Sequence, residues 1–343
     1  ILGSGPFVFD KDGYVPGVKV TYRKNTNYKP RSEPASYAAG GKVVHFDTVE
    51  WLYIPDPGTT MNALIAGEID FWETPSPDLV PGMEGNPDIT IKVIDPLGTQ
   101  GWLRPNHLNP PFDNPKARQA LLHMVKQEHY LQAIIGDEKF WRACGAYFMC
   151  DTPLDSDVGA GPLMNQDLEM ARKLLKEGGY NGETLILMDP TDIPVLHGAS
   201  LVTAQMLRKI GAKVEVQAMD WSTLTSRRAE TKSIADGGWN IFHTYSTGAD
   251  VASPIANIGV SGGCVEEAWF GWPCDKMLED LRDQFSRESD PAKQVEIGIA
   301  LQKRAYEVVP YVNYGQWFQP TAYRTSLKGV LISPVPFFWN IEK

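Results

Sequence analysis

Apolar and polar positions alternate with a period of two along short segments of the first hundred residues. Such alternation is typical of β-strands with one buried face, and glycines and prolines separate the segments. The pattern predicts strands at residues 6–9, 18–23, 43–54, 69–73 and 89–94. The first part of the chain is therefore expected to be rich in β-structure.

Residues 49–72 show how one such unit is built. A strand with alternating apolar residues begins at Val49 and is followed by a Pro-Asp-Pro-Gly turn. We expect Thr59 or Thr60 to cap a short helix and Gly67 to end it. A second strand is expected directly afterwards.

After Leu103 the apolar period lengthens to that of helices. Helices are predicted at 115–125, 167–178, 196–210, 275–286 and 291–308, with strands at 185–188 and 213–217. A strand, a helix and a strand in this order are typical of parallel strands covered by helices.

Short strands and prolines return after Pro310, so that the tail is similar to the first part of the chain. The simplest architecture is an α/β lobe inserted into a β-rich lobe. The prediction assigns residues 1–103 and 314–343 to lobe one and residues 104–313 to lobe two. Ligands favour clefts between such lobes.

An aromatic, weakly charged segment, residues 237–254, predicts a further buried strand. It leads into a loop with the candidate ligand residues Tyr245, Thr247, Gly248 and Asp250. Ligands of open α/β sheets bind beyond the carboxyl ends of strands. Asp250 there could hold a ligand ammonium group. The residues alone favour the alternative, in which Asp250 only caps the turn before Pro254.

Composition narrows the class of protein. The 343 residues are 43% apolar and 22% charged, with a net charge of −10. This balance disfavours nucleic acid as a partner, since phosphate binding needs basic patches. No apolar run approaches the roughly 20 residues that cross a bilayer. The chain starts without a methionine or signal peptide, so we expect that upstream residues have been removed.

The four cysteines form two local groups, Cys144 with Cys150 and Cys264 with Cys274. Three pairings are possible, and the local one is favoured because short loops lie close even in the unfolded chain. Four buried free thiols are the alternative, and the spacing disfavours zinc. Two disulfides would imply an oxidising compartment.

The motifs of common enzymes are absent or incomplete. Residues 259–263 match G-x-S-x-G, but two glycines and a cysteine follow the serine, and no histidine occurs after His243. A nucleophile elbow needs a following helix and a downstream histidine. The histidines show no metal-binding spacing. No catalytic residue, metal or cofactor is therefore expected.

Several segments resemble, in order, the large periplasmic solute-binding proteins that feed peptide and nickel ABC importers (family 5). They are residues 4–28, 49–72, 105–125 (PNHLNPPFDNPKARQALLHMV), 207–216 (LRKIGAKVEV) and the final helix with Pro310. The resemblance implies an α/β, two-lobed periplasmic-binding-protein-like fold (type II, cluster C), with lobe two inserted into a β-rich lobe one. It also implies that a long N-terminal part is missing, so that lobe one is partial.

The resemblance implies a transport receptor and not an enzyme. Such a receptor binds a peptide-like or amine-bearing ligand between its lobes and delivers it to an ABC permease in the membrane. We expect it in the periplasm or lipid-anchored outside the cell, as a monomer without a cofactor or nucleic acid.

The resemblance also changes the reading of the Asp250 loop. The family's aspartate that holds the peptide ammonium aligns on Asp250, which becomes the best candidate ligand contact. A tryptophan usually stands where this chain has Thr247, and Tyr245 could substitute for it. Dipeptide binders also hold the ligand carboxylate with an arginine, which the loop with Asp189 and Asp192 lacks. This implies an amine-bearing compound or a modified peptide.

Four aromatic residues are candidate walls of the site, Trp221, Trp239, Tyr245 and Trp317, although each is more often a core residue. Asp192 is included among the candidate ligand residues. Two alternatives remain: a hydrolase with paired carboxylates, such as Asp189 with Asp192, and a protein of the same fold that binds metal chelates or haem.

Overall fold

The computed structural model of the protein describes residues 3–343, which form two compact units. Unit one consists of the residues up to Pro96 together with Phe318–Lys343, and unit two is Leu97–Trp317. The predicted insertion of an α/β lobe into a β-rich one is confirmed. The units meet at 96/97 and 317/318, outside strands β6 (Thr99–Pro105) and β11 (Val312–Trp317) of the unit two sheet, whereas the predicted boundaries 103/104 and 313/314 fall within these strands.

Unit one contains two small antiparallel sheets, with strand orders β1-β2-β3 and β4-β12-β5. Its strands are β1 (Phe7–Phe9), β2 (Lys19–Lys24), β3 (Thr48–Leu52), β4 (Phe71–Trp72), β5 (Ile89–Val93) and β12 (Pro320–Arg324). Helix α1 (Pro57–Ala66) and a 3₁₀ helix at Pro77–Gly82 complete it.

Helix α1 corrects the predicted cap. Asp56 is the N-cap, and its carboxylate accepts a hydrogen bond from the backbone N of Thr59 at 2.7 Å. An N-cap residue precedes the helix, and its side chain accepts from the free N–H groups of the first turn. Thr59 and Thr60 lie inside the helix and cannot take this position. Gly67 ends the helix as predicted, with φ +77°.

Unit two contains a six-stranded sheet. Its remaining strands are β7 (Trp141–Arg142), β8 (Thr184–Pro190), β9 (Lys213–Met219) and β10 (Ile241–Thr247). Its helices are α2 (Pro115–Met124), α3 (Gln127–Ile134), α4 (Gly161–Met164), α5 (Leu168–Glu177), α6 (Pro194–Lys209), α7 (Trp221–Arg227), α8 (Gly248–Val251), α9 (Cys264–Glu267), α10 (Lys276–Arg287) and α11 (Pro291–Val308). Short 3₁₀ helices lie at Glu138–Phe140, Ile234–Asp236 and Ile258–Val260.

The strand order of this sheet is β7-β11-β6-β10-β8-β9. Strands β8 and β9 are parallel neighbours, as the βαβ pattern predicts, and β10 lies parallel to β8 on the other side. Strand β6 is antiparallel to both β10 and β11, so that β11 runs in the same direction as β10.

Both faces of the sheet are covered by hydrophobic side chains, which alternate along each strand. Leu185 and Leu187 of β8 belong to the large core cluster that includes helices α2, α3 and α6. Ile186 and Met188 belong to a second cluster on the other face, rich in aromatic rings. Period-two alternation between two covered faces is the geometry of a strand buried on both sides.

No helix within residues 3–343 combines the length and apolar character needed to cross a bilayer.

Candidate functional site

Most of the predicted ligand residues lie at one edge of the six-stranded sheet. Strands β8, β9, β10 and β11 run in the same direction, so their carboxyl ends share this edge. The predicted residues that end or follow these strands are Asp192, Trp221, Tyr245, Thr247, Gly248, Asp250 and Trp317. We call this edge the carboxyl edge. It is the position at which open α/β sheets bind ligands.

The register of β6 brings two of these residues together. Thr247 and Trp317 both pair with Thr99, one from each side of β6. The rings of Tyr245 and Trp317 meet edge to face, with 5.8 Å between their centroids. Tyr245 is 44% exposed and Trp317 only 3%, so Tyr245 presents the accessible aromatic surface while Trp317 supports it.

Asp250 is exposed and lies in the short helix α8, one turn after β10. The hydroxyl of Thr247 donates to Asp250 Oδ2 at 2.9 Å and accepts from the Asp250 backbone N at 3.3 Å. Thr247 therefore caps the turn, and Asp250 supports that cap with one carboxylate oxygen. Within residues 3–343 the other oxygen, Oδ1, has no hydrogen-bond partner and faces no cation.

Gly248 is required for the close approach of this turn to the chain before β6. Its backbone N donates to the carbonyl of Gly98 at 2.6 Å. A Cβ at Gly248 would lie 2.5 Å from the Cβ of Leu97. Any larger residue would push the Asp250 turn away from β6.

The two acids at the end of β8 are both engaged. Asp189 is buried, and its carboxylate hydrogen-bonds with Nδ1 of His197 at 2.9 Å. Asp192 accepts from the backbone N of Trp221 at 2.8 Å. Both carboxylates therefore already have partners within the protein, so the repulsion of a ligand carboxylate expected from these two acids is weaker than their sequence suggests.

The turn after β9 is fixed in a similar way. Asp220 caps α7 by accepting from the backbone N of Thr223 at 2.9 Å. Hydrogen bonds from the Thr223 hydroxyl and backbone lower the pKa of Asp220. Trp221 then stands half-buried in the first turn of the helix, with its ring centroid 5.3 Å from the guanidinium of Arg228.

Trp239 lies away from this edge. It precedes β10 and is fully buried in the aromatic cluster beside Phe242 and Trp272. A ligand at the carboxyl edge would not reach it, and we leave Trp239 out of the site proposed below.

The four cysteines form the two local disulfides, Cys144–Cys150 and Cys264–Cys274, as predicted from their spacing. The second bond closes the loop that carries Trp269, Phe270 and Trp272. The aromatic cluster on one face of the sheet is thus covalently held at its rim.

The features of an enzyme or metal site do not come together. The G-x-S-x-G serine, Ser261, follows a 3₁₀ turn and not a strand, and its hydroxyl hydrogen-bonds with Glu279 at 3.2 Å. No three His, Cys, Asp or Glu side chains gather into a metal-binding group anywhere in the described part of the chain. His243 is fully buried between Ser200 and Thr203, and burial lowers its pKa to about 3.

Sequence reasoning missed two residues that contact the candidate residues, His197 against Asp189 and Arg228 against Trp221. His197 lies in the first turns of α6, eight residues after Asp189 at the end of β8. This spacing could have predicted the contact between the two side chains. Arg228 gave no signal, because its surroundings come from distant segments of the chain.

The chain is similar to bacterial solute-binding proteins. The sequence profile of the bacterial extracellular solute-binding proteins, family 5 middle, matches residues 1–264. The chain is 37% identical to the probable peptide ABC transporter periplasmic-binding protein y4tO of Sinorhizobium fredii, over 100% of this chain and 65% of that protein. It spans less than two thirds of the length of the curated relatives that it matches.

Two solved structures show the same fold. The PBP AgaA of A. tumefaciens R10 in complex with agropinic acid has a TM-score of 0.80 at 22% identity, covering 98% of this chain and 66% of AgaA. The periplasmic binding protein DppA of Helicobacter pylori in complex with the peptide STSA has a TM-score of 0.79 at 22% identity, covering 99% and 62%.

Proposed function

The chain belongs to family 5 of the bacterial extracellular solute-binding proteins, and we propose that it binds a peptide-like or amine-bearing solute for delivery to an ABC permease in the membrane. The resemblance found in the sequence is thereby confirmed. Binding requires no covalent step, so the residues of the site position the ligand and do not transform it.

The observation that carries the proposal is the convergence of the predicted residues on the carboxyl edge. The Asp250 carboxylate is exposed there and has one oxygen without a partner among the described residues. Tyr245 lies five residues before Asp250, near the carboxyl end of β10, and exposes an aromatic ring. An exposed carboxylate and an exposed aromatic ring at the same end of the sheet can each interact with a ligand ammonium group, the first by a charge-assisted hydrogen bond and the second by a cation–π contact.

The relatives support a peptide-like ligand but do not identify a particular compound. The y4tO protein is named for peptides and the DppA structure contains the peptide STSA, whereas the AgaA structure contains agropinic acid. Structures of similar TM-score thus hold different ligands. The choice therefore rests on the side chains at the carboxyl edge.

Members of this family act outside the cytoplasm, and we place this protein in the periplasm or on a lipid anchor at the cell surface. Two disulfides support an oxidising compartment. We propose that the protein acts as a monomer whose single partner is the permease.

The test is peptide capture. The immobilised chain is incubated with a tryptic digest of casein, washed, and the retained peptides are identified by mass spectrometry. The same digest, acetylated at its amines, is the matched control. We expect retention of free-amine peptides and loss after acetylation. Equal retention of both digests, or of neither, would contradict an amine-binding site.

A further inference from the structure

Arg228 lies directly after helix α7, surrounded by aromatic rings. Its guanidinium carbon is 4.7–5.9 Å from the ring centroids of Trp221, Phe242, Trp269 and Phe270. Contacts of this kind orient the planar guanidinium and cover its faces. We call this group the Arg228 box.

The charge in this box is not balanced. Within residues 3–343, no carboxylate pairs with Arg228 and no carbonyl accepts from it, and its Nε is buried without an acceptor. Burial lowers the pKa of Arg228. Buried cations are ordinarily paired or hydrogen-bonded. Arg228 is half-buried, and of its nitrogens only Nε is buried without an acceptor in the described part of the chain, so the open side of the guanidinium is a place where an anion could bind.

The other inward arginines show the contrast. Arg104 donates to four backbone carbonyls and Arg118 to three. The neighbour of Arg228, Arg227, reaches the carbonyls of Gly237 and Gly238 at 3.3 Å. Each of these guanidinium groups has a structural role. Arg228 alone in this comparison has no hydrogen-bond acceptor for its side chain among the described residues.

The walls of the box are fixed before any ligand arrives. Arg104 donates to the carbonyl of Trp269 at 3.2 Å and to that of Phe270 at 2.6 Å. The Cys264–Cys274 disulfide closes the loop that bears both rings. A second donor in the same cluster, the indole Nε1 of Trp239, also lacks an acceptor within the described residues. The cluster thus holds two donors and no acceptor for either.

The box adjoins the carboxyl edge through Trp221. The ring of Trp221 lies against Arg228, while its backbone N is held by Asp192 after β8. We propose that Arg228 is a carboxylate-binding subsite in its own right, separate from the Asp250 loop. The subsite stands on the contacts of the box itself and does not depend on the proposed function.

The test uses N-acetylglycine, which has a carboxylate and no amine, with N-acetylglycinamide as the matched neutral probe. Arginine Nε–H signals of the ¹⁵N-labelled chain are followed by NMR during each titration. The signal that disappears in Arg228→Met identifies Arg228. We expect that signal to shift saturably with the acid and not with the amide or with sodium chloride at equal ionic strength.

Two further variants keep the test decisive if Arg228→Met folds poorly. Arg228→Lys keeps the charge without the planar fork, and we expect it to weaken N-acetylglycine binding by about tenfold. Arg227→Met should bind as the parent does. No saturable shift in the parent, or unchanged affinity in Arg228→Lys, would overturn the subsite. Because the probe lacks an amine, that result would leave the Asp250 proposal standing.

Discussion

Replacement of Arg104 by methionine tests how the aromatic loop is held. The Arg104 side chain is fully buried and donates to the carbonyls of Gly259, Trp269, Phe270 and Pro310 at 2.5–3.2 Å. These carbonyls belong to segments that meet around β6. Methionine fills a similar volume but donates no hydrogen bond.

The expected loss of stability follows from two opposing terms. Four hydrogen bonds from a charged donor, at about 2 kcal/mol each, amount to about 8 kcal/mol. Burial lowers the pKa of Arg104 to about 9, and this shift from the ordinary value of an arginine corresponds to about 5 kcal/mol of unfavourable charge burial that methionine relieves. We therefore expect the free energy of unfolding to fall by about 3 kcal/mol.

The assay is urea unfolding followed by circular dichroism, with N-acetylglycine titration as a local readout. Arg118→Met is the matched control, since Arg118 donates to the carbonyls of Phe112, Asp113 and Val308 away from the aromatic loop. Both variants should lose stability, but only Arg104→Met should weaken N-acetylglycine binding at urea concentrations where it is folded. A loss below about 1 kcal/mol in Arg104→Met would refute the reasoning.

Two other changes have defined outcomes. His243→Leu should reduce the loss of stability at acid pH. The pKa of His243 is lowered from 6.5 to about 3 by burial, so the unfolded state takes up the proton at a higher pH than the folded state. In the parent, the free energy of unfolding therefore falls by up to about 1.4 kcal/mol per pH unit below pH 6.5. In this variant Ser200 still hydrogen-bonds with Leu196 and Thr203 with Tyr130, so the comparison reports on the histidine charge. The free energy of unfolding is measured by urea titration at pH 7 and 4.5, and an equal pH dependence in the parent and the variant would contradict this role of His243. Gly101→Ala places a Cβ against the Tyr314 ring; calorimetry should show a loss of about 2–3 kcal/mol, and no loss would mean that the ring moves freely.

Elements with clear periodicity could be predicted from the sequence. The βαβ unit follows from an apolar run, an amphipathic helix and a second apolar run, and β8, α6 and β9 lie where that pattern places them. The burial of β10 likewise follows from its lack of charge. Local signals sufficed because each element forms its own apolar face.

Strand β6 could not be predicted, and its omission displaced the predicted lobe boundary. It contains Gly101, Arg104 and Pro105, which are unusual in a central strand. Gly101 is needed because Tyr314 lies against its backbone, and Arg104 because distant carbonyls converge on it. These reasons are tertiary contacts that no local pattern records.

The candidate site shows the same division. The sequence and the family resemblance led to Asp250 and Tyr245 because they follow a recognisable strand. The surroundings of Arg228 could not be predicted, because the aromatic rings that contact it come from α7, β10 and the Cys264–Cys274 loop. Residues on one loop can be read from the sequence, whereas a box assembled from three segments cannot.

The most direct test of the account is the affinity of Asp250→Asn for a peptide that the casein capture retains, measured by isothermal titration calorimetry. Loss of a charge-assisted bond worth about 1.5–3 kcal/mol should raise Kd by about 10–150-fold. Asp283→Asn, an exposed acid in α10, removes the same charge elsewhere and should bind as the parent does. Equal affinity of Asp250→Asn and the parent would contradict the ammonium contact.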